Sequence, residues 1–509
     1  MPPSRAPMTP ARRLFAIDLR SLAVFRMGLA AWILADLLLR APDVASLLSD
    51  GGLLPGPTVL AHSPPALTLW SLYFCGASPL AQGCVMAAQA VAAVLLFVGF
   101  RTRLMTFLSW LFLVSLDARN PLVIGGWDTL AELMTFWGMF VPLGATLSVD
   151  GAGRELDEPR EFSTGTIAML SQVVLLYVFA GLHKHQAPAW RDGTAVLNAL
   201  GTPELAHAPG ALLAGYPRLI GALTHAVVYF EVLGPLALFS PVFHVPLRLA
   251  ATLGFVFLQV GFGACLAVSL FPFISTTVMT LFIPTELWDR YPWLERRLAA
   301  PFAWPARALA RWRAREPRWQ LVRWERGLVA LLVLYVAVWN LATLDRRFLE
   351  NTGRRTIPLE GRGYRPPHPI CWLGLSLKLN QAMTMFLGPD GSTEWHEVHL
   401  KFSDGSKSDL FLDGARLVAT PPDPSRQFGL AGARFGNFWA VLPGYPWAHT
   451  HVGAYLCRTW RAEHPGEPRL VELTLYRVHQ QVSGDPRSAI RRWPVFGHLC
   501  AVEDGELEP

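Results

Sequence analysis

The sequence of 509 residues has 52% hydrophobic and only 16% charged side chains, with 44 basic residues against 38 acidic ones and a net charge of +6. Soluble domains carry about 25% charged residues, so this composition argues against a disordered chain, a nucleic-acid-binding domain and a small disulfide scaffold. It indicates a membrane protein with one or more water-facing parts.

Lysine is rare in this chain, because it occurs only at Lys184, Lys378, Lys401 and Lys407 among the 44 basic side chains. Arginine stays charged in proteins, whereas burial can make a lysine neutral. Lys184 is the only lysine in the first 377 residues. Its isolation makes it a candidate for chemistry that arginine cannot perform.

Apolar segments of membrane-spanning length predict most of the architecture. A spanning helix needs about 20 mostly apolar residues, and nine segments reach or approach that length, the eighth being short and interrupted by Pro272. The stretch 65–78 is apolar but broken, so we expect an interfacial helix there that leads into the second span. The sequence therefore predicts a polytopic α-helical membrane protein with about nine spans. The nine segments are 21–39, 83–100, 104–118, 127–147, 166–182, 219–239, 247–268, 270–284 and 327–344.

The arginines of the loops predict the orientation, because cytoplasmic loops carry an excess of arginine and lysine. With nine spans, the arginines of the N-terminus, of the loops after spans two and four, and of the long loop between spans eight and nine all fall on one side. We therefore expect a multi-pass protein of the cell inner membrane with a cytoplasmic N-terminus. No cleavage site follows the first span, which we interpret as a retained anchor.

The long loop before the last span combines arginines with Trp304, Trp312, Trp319 and Trp324. This pattern could belong to a nucleic-acid-binding surface. Next to spanning helices, however, it favours helices that lie on an anionic lipid leaflet. We expect membrane lipid, and no nucleic acid, as a partner.

The composition changes near residue 346 and divides the chain into a transmembrane domain, 1–345, and a β-rich extracytoplasmic domain, 346–509. Residues 397–412 predict a hairpin, because alternating apolar residues flank an Asp-Gly turn. Residues 471–478 and 438–442 are further strand candidates.

The cysteines and histidines of this second domain favour oxidation over metal binding. Two of Cys371, Cys457 and Cys500 could form a disulfide in an extracytoplasmic compartment, and Cys75 is a further candidate partner, but the connectivity does not follow from the sequence. His449 and His451 would share one face of a strand. No third ligand accompanies them in the pattern, so we expect no metal site.

Ionisable residues collect at the predicted outer mouth of spans four, five and six. Asp128 and Glu132 are four residues apart and share a helix face at the start of span four. At 1.5 Å per residue, His225 lies roughly 10 Å inside span six and Glu231 lies deeper. Ionisable groups at membrane depth are costly and commonly mark a pathway or a reaction site.

These residues and the end of span five predict one partly dehydrated cavity. In the alternative interpretation, Lys184 extends to the interface and pairs with Asp128. We predict Lys184, His225 and Asp128 as catalytic residues, and Glu132, Glu231, His183 and Trp190 as substrate-binding residues.

Several runs of this sequence resemble those of the horizontally transferred transmembrane (HTTM) domain, the bacterial relative of the vitamin K-dependent γ-glutamyl carboxylase. Relatives often have a glycine where this chain has Ser269, and the Leu270-Phe271-Pro272-Phe273 that follows is similar. The other similar runs are 22–26, 119–123 with Gly126 and Asp128, 179–184 through Trp190 to Gly193, 230–235, 379–381 and 385–386.

The resemblance implies an activity for Lys184. In the carboxylase, the matching lysine is regarded as the base that takes a proton from reduced vitamin K, in a reaction that adds carbon dioxide to a peptide glutamate. A neutral amine and the exclusion of water both suit a membrane-embedded mouth, which also admits a lipid-soluble quinone. The chain differs from the animal enzyme at Trp127-Asp128-Thr129, where that enzyme has a histidine nearby, and at Gln259, which replaces another.

Three functions therefore remain open at the level of sequence. The first is a carboxylase-like or other quinone-dependent enzyme, a possible lyase, that acts on a peptide or small molecule at the outer face and needs no metal. The second is a non-enzymatic membrane protein that exports, matures or protects a partner. The third is a transporter with Glu132, Glu231 and Lys184 along its path, although the sequence has no inverted repeat.

Overall fold

The computed structural model describes residues 9–153, 158–202, 205–309, 311–312, 321–345, 369–381, 392–410, 433–481 and 490–500. In this part of the chain, six helices are long and apolar enough to cross a membrane, so the protein is a helical membrane protein. We number the long helices in chain order, and α3, α4 and α8 are described in the next paragraph. The six helices of spanning length are α1 (Leu19–Arg40, continuing to Leu47), α2 (Pro79–Val98), α5 (Thr164–Gln186), α6 (Pro217–Leu238), α7 (His244–Cys265) and α9 (Arg323–Thr343).

The other three expected spans are helical but shorter or more polar. They are α3 (Thr102–Arg119), α4 (Gly126–Gly138) and α8 (Phe271–Met279), the last continued by a 3-10 turn to Phe282. At 1.5 Å per residue, the 13 residues of α4 extend about 20 Å, less than the roughly 30 Å of a bilayer core. The expectation of a span over 127–147 is therefore wrong in its extent, and the count of nine spans stays a prediction.

A buried arginine explains why α4 ends early. Arg26 of α1 is fully buried, and its guanidinium donates to the carbonyl oxygens of Leu143 at 2.8 Å and of Leu147 at 2.5 Å. These carbonyls are available because the chain after Gly138 turns instead of continuing as a helix. Pro142 also lacks the amide hydrogen that a helix would need there.

The expected interfacial helix over 65–78 is also wrong. The structure has a single helical turn at Pro65–Thr68 and a 3-10 turn at Leu72–Phe74. Further short helices are Pro10–Phe15, Val44–Leu47, Gly56–His62, Pro188–Arg191, Ala195–Leu200, Ala208–Ala214, Thr285–Arg290, Pro292–Ala299 and Ala303–Ala308.

Helices α5 and α6 pack closely because a glycine lies at their contact. A Cβ atom added to Gly181 would lie 2.6 Å from Cγ2 of Val232 and 3.2 Å from Cβ of Glu231. The absence of a side chain at Gly181 lets the backbone of α5 approach α6 at the depth of Glu231. The last turn of α5, which carries His183 and Lys184, is thereby held beside α6.

The C-terminal region contains a four-stranded antiparallel sheet. Its strands are β3 (Ser392–Phe402), β4 (Lys407–Asp409), β5 (Leu470–Gln481) and β6 (Arg491–Leu499), in the order β4-β3-β5-β6; a separate short pair joins β1 (Ile17–Asp18) to β2 (Arg160–Glu161). The expected hairpin is confirmed in its described part, because β3 pairs with β4 and His399 lies opposite Asp409; residues 411 and 412 of the expected range lie outside the described residues. The strand expected over 471–478 is confirmed as β5.

Two sequence expectations in this region are wrong because the residues are helical. The strand expected over 438–442 belongs to α11 (Ala433–Val441) and the turn after it, where Phe438 and Leu442 are buried at helical spacing. His449 and His451 lie on α12 (Pro446–Glu463), not on a strand. A short helix, α10 (Pro369–Leu377), precedes the sheet.

A disulfide holds α12 against the sheet. It joins Cys457 of α12 to Cys500, which follows β6. Since α12 lies against β5 and β6, the bond closes a region in which helix and sheet share one core. The C-terminal region therefore combines a sheet with helices.

Candidate functional site

Lys184 and Glu231 form a buried ion pair between two of the helices that are long enough to span a membrane. Nζ of Lys184 lies 2.5 Å from Oε1 and 2.6 Å from Oε2 of Glu231. The two residues are 2% and 3% exposed. The pair thus joins the end of α5 to the middle of α6 through opposite charges that water does not reach.

Trp190 covers this pair from the segment that follows α5. The helix ends at Gln186, and the short helix Pro188–Arg191 places the indole ring with its centroid 5.2 Å from Nζ of Lys184. Trp190 is buried and packs in a small apolar cluster with Ala195 and Val228. An aromatic face at this distance attracts a cation and excludes water.

His183 makes a different contact from its neighbour. Its Nε2 lies 3.1 Å from Oγ1 of Thr343 on α9, and both side chains are buried. Successive residues of a helix point about 100° apart. His183 therefore links α5 to α9, while Lys184 faces α6.

Tyr177 and Gln259 extend the polar site toward α7. Nε2 of Gln259 donates to the hydroxyl of Tyr177 at 3.2 Å, and both side chains are buried. Tyr177 is close enough to Glu231 to interact with its charge. Among the described residues, Oε1 of Gln259 has no hydrogen-bond donor, so the site retains one buried acceptor.

His225 lies outside this group. It is exposed on α6, and a Cβ added to Gly193 would lie 2.9 Å from its Nε2. Six residues separate His225 from Glu231, which places the two side chains about 120° apart around the helix. The sequence prediction grouped His225 with Glu231 because of their depth along span six, but depth does not determine which face of the helix a side chain lies on.

Asp128 and Glu132 also lie apart from Lys184 in their contacts. Asp128 accepts hydrogen bonds from Arg40 at 3.0 Å and from Arg434 at 2.9 and 3.1 Å. The alternative interpretation paired Lys184 with Asp128, but Lys184 pairs with Glu231. The seven predicted site residues are therefore distributed over more than one group.

Asp128 and Glu132 belong to a buried set of seven charged residues, which we call the charge cluster. Arg434 and Lys378 come from the C-terminal region, and the other five come from α1, α3 and α4. Arg434 and Lys378 could not be assigned to this cluster from the sequence, because their partners are more than 200 residues away. For two other members, Asp36 and Arg40, the sequence does carry a signal, because an acidic and a basic residue four positions apart on α1 can form an ion pair. The members are Asp36, Arg40, Asp117, Asp128, Glu132, Lys378 and Arg434.

A further polar group lies on the sheet. Ligand atoms of Glu397, His399 and Asp409 lie within 4.8 Å of one another, a spacing that could hold a metal ion. However, Arg492 donates to Glu397 from Nε at 2.9 Å and from Nη2 at 3.2 Å. The guanidinium therefore supplies the positive charge that this carboxylate would otherwise take from a cation.

No family model matches the chain, and no curated protein or solved structure is significantly similar to it.

Proposed function

We propose that this protein is a membrane enzyme of the HTTM type, related to the vitamin K-dependent carboxylases, in which Lys184 accepts a proton from a reduced quinone. The observation that carries the proposal is the buried ion pair between Lys184 and Glu231 on adjacent apolar helices. Ionisable side chains within spanning helices are rare and commonly mark functional sites.

A backbone conformation supports the relationship to the carboxylase relatives. Ser269, between α7 and α8, has a φ of 48°. This left-handed conformation favours glycine, because a Cβ atom is crowded there. Relatives often have a glycine at the matching position, so a turn of the same kind would suit both sequences.

The Lys184 site has the groups that a quinol would need. A quinol is a flat ring with two hydroxyl donors. For one hydroxyl, Lys184 and Glu231 form a proton-accepting pair, and for the ring, Trp190 provides an aromatic face. For the other hydroxyl, Oε1 of Gln259 is a buried acceptor without a donor among the described residues. Helix α6 exposes Tyr229 and other apolar residues, past which a lipid-soluble ligand could approach. When bound, the reduced quinone supplies, through its oxidation by dioxygen, the driving force for removing a γ-proton from a glutamate, so that carbon dioxide can add there.

The pair itself accounts for how Lys184 can act as a base. Nζ first passes a proton to the carboxylate of Glu231, which lies 2.5 Å away, and a neutral amine and a neutral acid remain. Burial without water favours two neutral groups over two charged ones. The neutral Nζ then accepts a proton from a quinol hydroxyl. Arginine could not perform the first transfer, because it does not lose its proton in proteins.

Product analysis by mass spectrometry tests the proposal. The full-length protein in lipid vesicles would be incubated with reduced quinones, dioxygen, isotopically labelled bicarbonate and glutamate-containing peptides. We expect labelled carbon in a peptide product of the wild type, and a loss of about 10²- to 10⁴-fold in Lys184→Ala and Glu231→Gln, as is typical when a general base is removed.

A surface lysine provides the matched control. Lys401 on β3 is exposed and lies 3.4 Å from Glu472, so Lys401→Ala should keep the wild-type turnover. Equal turnover per folded molecule in Lys184→Ala and wild type would contradict the proposal. Peptide flux across the vesicle membrane without a covalent product would instead indicate a transporter.

A further inference from the structure

Counted over the described part of the chain, the charge cluster has fewer cations than carboxyl groups, which points to a function separate from that of the Lys184 site. Its cationic residues are Arg40, Lys378 and Arg434, and it contains four carboxyl groups. All seven residues are at most 9% exposed. An uncompensated negative charge in such a site is costly, so the site should neutralise it.

Two of the four carboxyl groups are well compensated. Asp36 accepts hydrogen bonds from Arg40 at 2.8 Å and from Arg434. Asp128 accepts from the same two guanidinium groups, from Arg40 at 3.0 Å and from Arg434 at 2.9 Å. Asp36 and Asp128 therefore accept most of the hydrogen bonds that the two arginines donate, and Nη1 of Arg40 has no acceptor among the described residues.

Asp117 and Glu132 have fewer donors. Oδ1 of Asp117 lies 3.4 Å from Nη2 of Arg40, and Oδ2 has no donor among the described residues. Oε1 of Glu132 lies 3.3 Å from Nζ of Lys378, an ion-pair distance, but without hydrogen-bond alignment. Asp117 and Asp128 contact the same Nη2 of Arg40, and Glu132 lies one helical turn after Asp128 on the same face of α4, so Asp117 and Glu132 are neighbours in the cluster. Two adjacent carboxyl groups need a proton between them, because neither ionised oxygen can donate.

We propose that Asp117 and Glu132 share one proton, so that the charge cluster is a buried proton-binding site. The proton neutralises the one carboxyl group that the three cations leave uncompensated, and it is the hydrogen-bond donor that the oxygens of Asp117 and Glu132 otherwise lack. Among the described residues, every charged side chain facing this pair is a member of the cluster. The nearby hydroxyl of Tyr73 faces Arg40 and Asp36 and donates to Gln89 at 2.7 Å.

The proton occupancy of the cluster depends on the C-terminal region, since this region supplies Lys378 and Arg434. Without these two side chains, Arg40 alone would face four carboxyl groups, and the site would bind additional protons. By linkage, proton uptake and separation of the C-terminal region from α1, α3 and α4 then favour each other.

Infrared spectroscopy of the full-length protein in vesicles tests this proposal, because a protonated carboxyl group has its own C=O band. Spectra would be recorded at neutral pH in potassium buffer, as differences between wild type and variant, so that any contribution from Glu231 cancels. We expect Asp117→Asn and Glu132→Gln each to remove a carboxyl band. Glu394→Gln is the control, because Glu394 is an exposed carboxylate paired with Arg477, and it should leave the band unchanged.

Lys378→Met gives an independent result, since it keeps all four carboxyl groups and removes one cation. We expect a gain in the protonated band, to roughly twice the wild-type amount from the cluster. The proposal is overturned if Asp117→Asn and Glu132→Gln leave the spectrum unchanged, or if Lys378→Met adds no band. A cluster signal that disappears when sodium replaces potassium would assign the site to a metal cation and overturn it as well.

Discussion

Replacing Arg434 with methionine should destabilise the whole protein, because Arg434 connects the C-terminal region to the transmembrane helices. The residue is 5% exposed and donates to Asp128 at 2.9 and 3.1 Å, to the carbonyl of Val123 at 3.1 Å and to Asp36. Removing one partner of a buried ion pair leaves a buried charge and costs about 3–5 kcal/mol.

Thermal unfolding of the full-length protein in detergent measures this cost. With about 2–4 °C per kcal/mol for larger domains, we expect the melting midpoint to fall by roughly 10 °C. Arg477→Met is the matched control. Arg477 makes a similarly close contact with Glu394, but the two side chains are 47% and 40% exposed, and such pairs contribute at most about 1 kcal/mol.

A double-mutant cycle separates the charge effect from the loss of packing. Asp128→Asn in the Arg434→Met background removes the carboxylate that the first change leaves unpaired, so the double variant should be more stable than the sum of the single effects predicts. If Arg434→Met melts within about 2 °C of the wild type, or if the two effects add, Arg434 does not hold the two regions together as described.

Three further predictions concern the sheet and the helix contact. Burial and the charge of Arg477 lower the pKa of His396 to about 4. The folded state therefore binds a proton at His396 less readily than the unfolded state does. The free energy of unfolding should fall by about 3 kcal/mol as the pH drops from about 6.5 to 4. His396→Phe should flatten this slope in pH-dependent melts. Replacing Cys457 and Cys500 with serine should cost about 4 kcal/mol in melts without reductant, because the bond closes a loop of 43 residues; wild-type stability would refute this. Gly181→Ala should cost about 1–3 kcal/mol and reduce turnover, because its Cβ would lie 2.6 Å from Cγ2 of Val232 and push α5 from α6; unchanged melting and activity would contradict this packing.

Helices were predictable from sequence where an apolar run is long and local. Each of the nine expected spans contains a helix, because spanning length and apolarity depend on neighbouring residues only. The extent of α4 was not predictable, because it depends on Arg26, which lies more than 100 residues earlier and binds the carbonyls of Leu143 and Leu147. The run 438–442 was ambiguous, since a short apolar segment fits a strand or a helix.

The candidate site was predictable in part, for similar reasons. The rarity of lysine singled out Lys184, and Glu231 was noticed from its depth in span six. Depth along a helix axis does not determine which way a side chain faces, so His225 was placed with them although it lies on another face of α6. Arg434 and Lys378 could not be assigned to Asp128 and Glu132, because only the packing of the C-terminal region brings them together.

The turnover of Lys184→Arg measures the central claim most directly. Arginine keeps the positive charge and can pair with Glu231, but it cannot supply a neutral amine. We predict that the folded variant forms no carboxylated product with a reduced quinone, while Lys401→Arg, at an exposed position, keeps wild-type turnover. Wild-type turnover in Lys184→Arg would show that Lys184 is not the base.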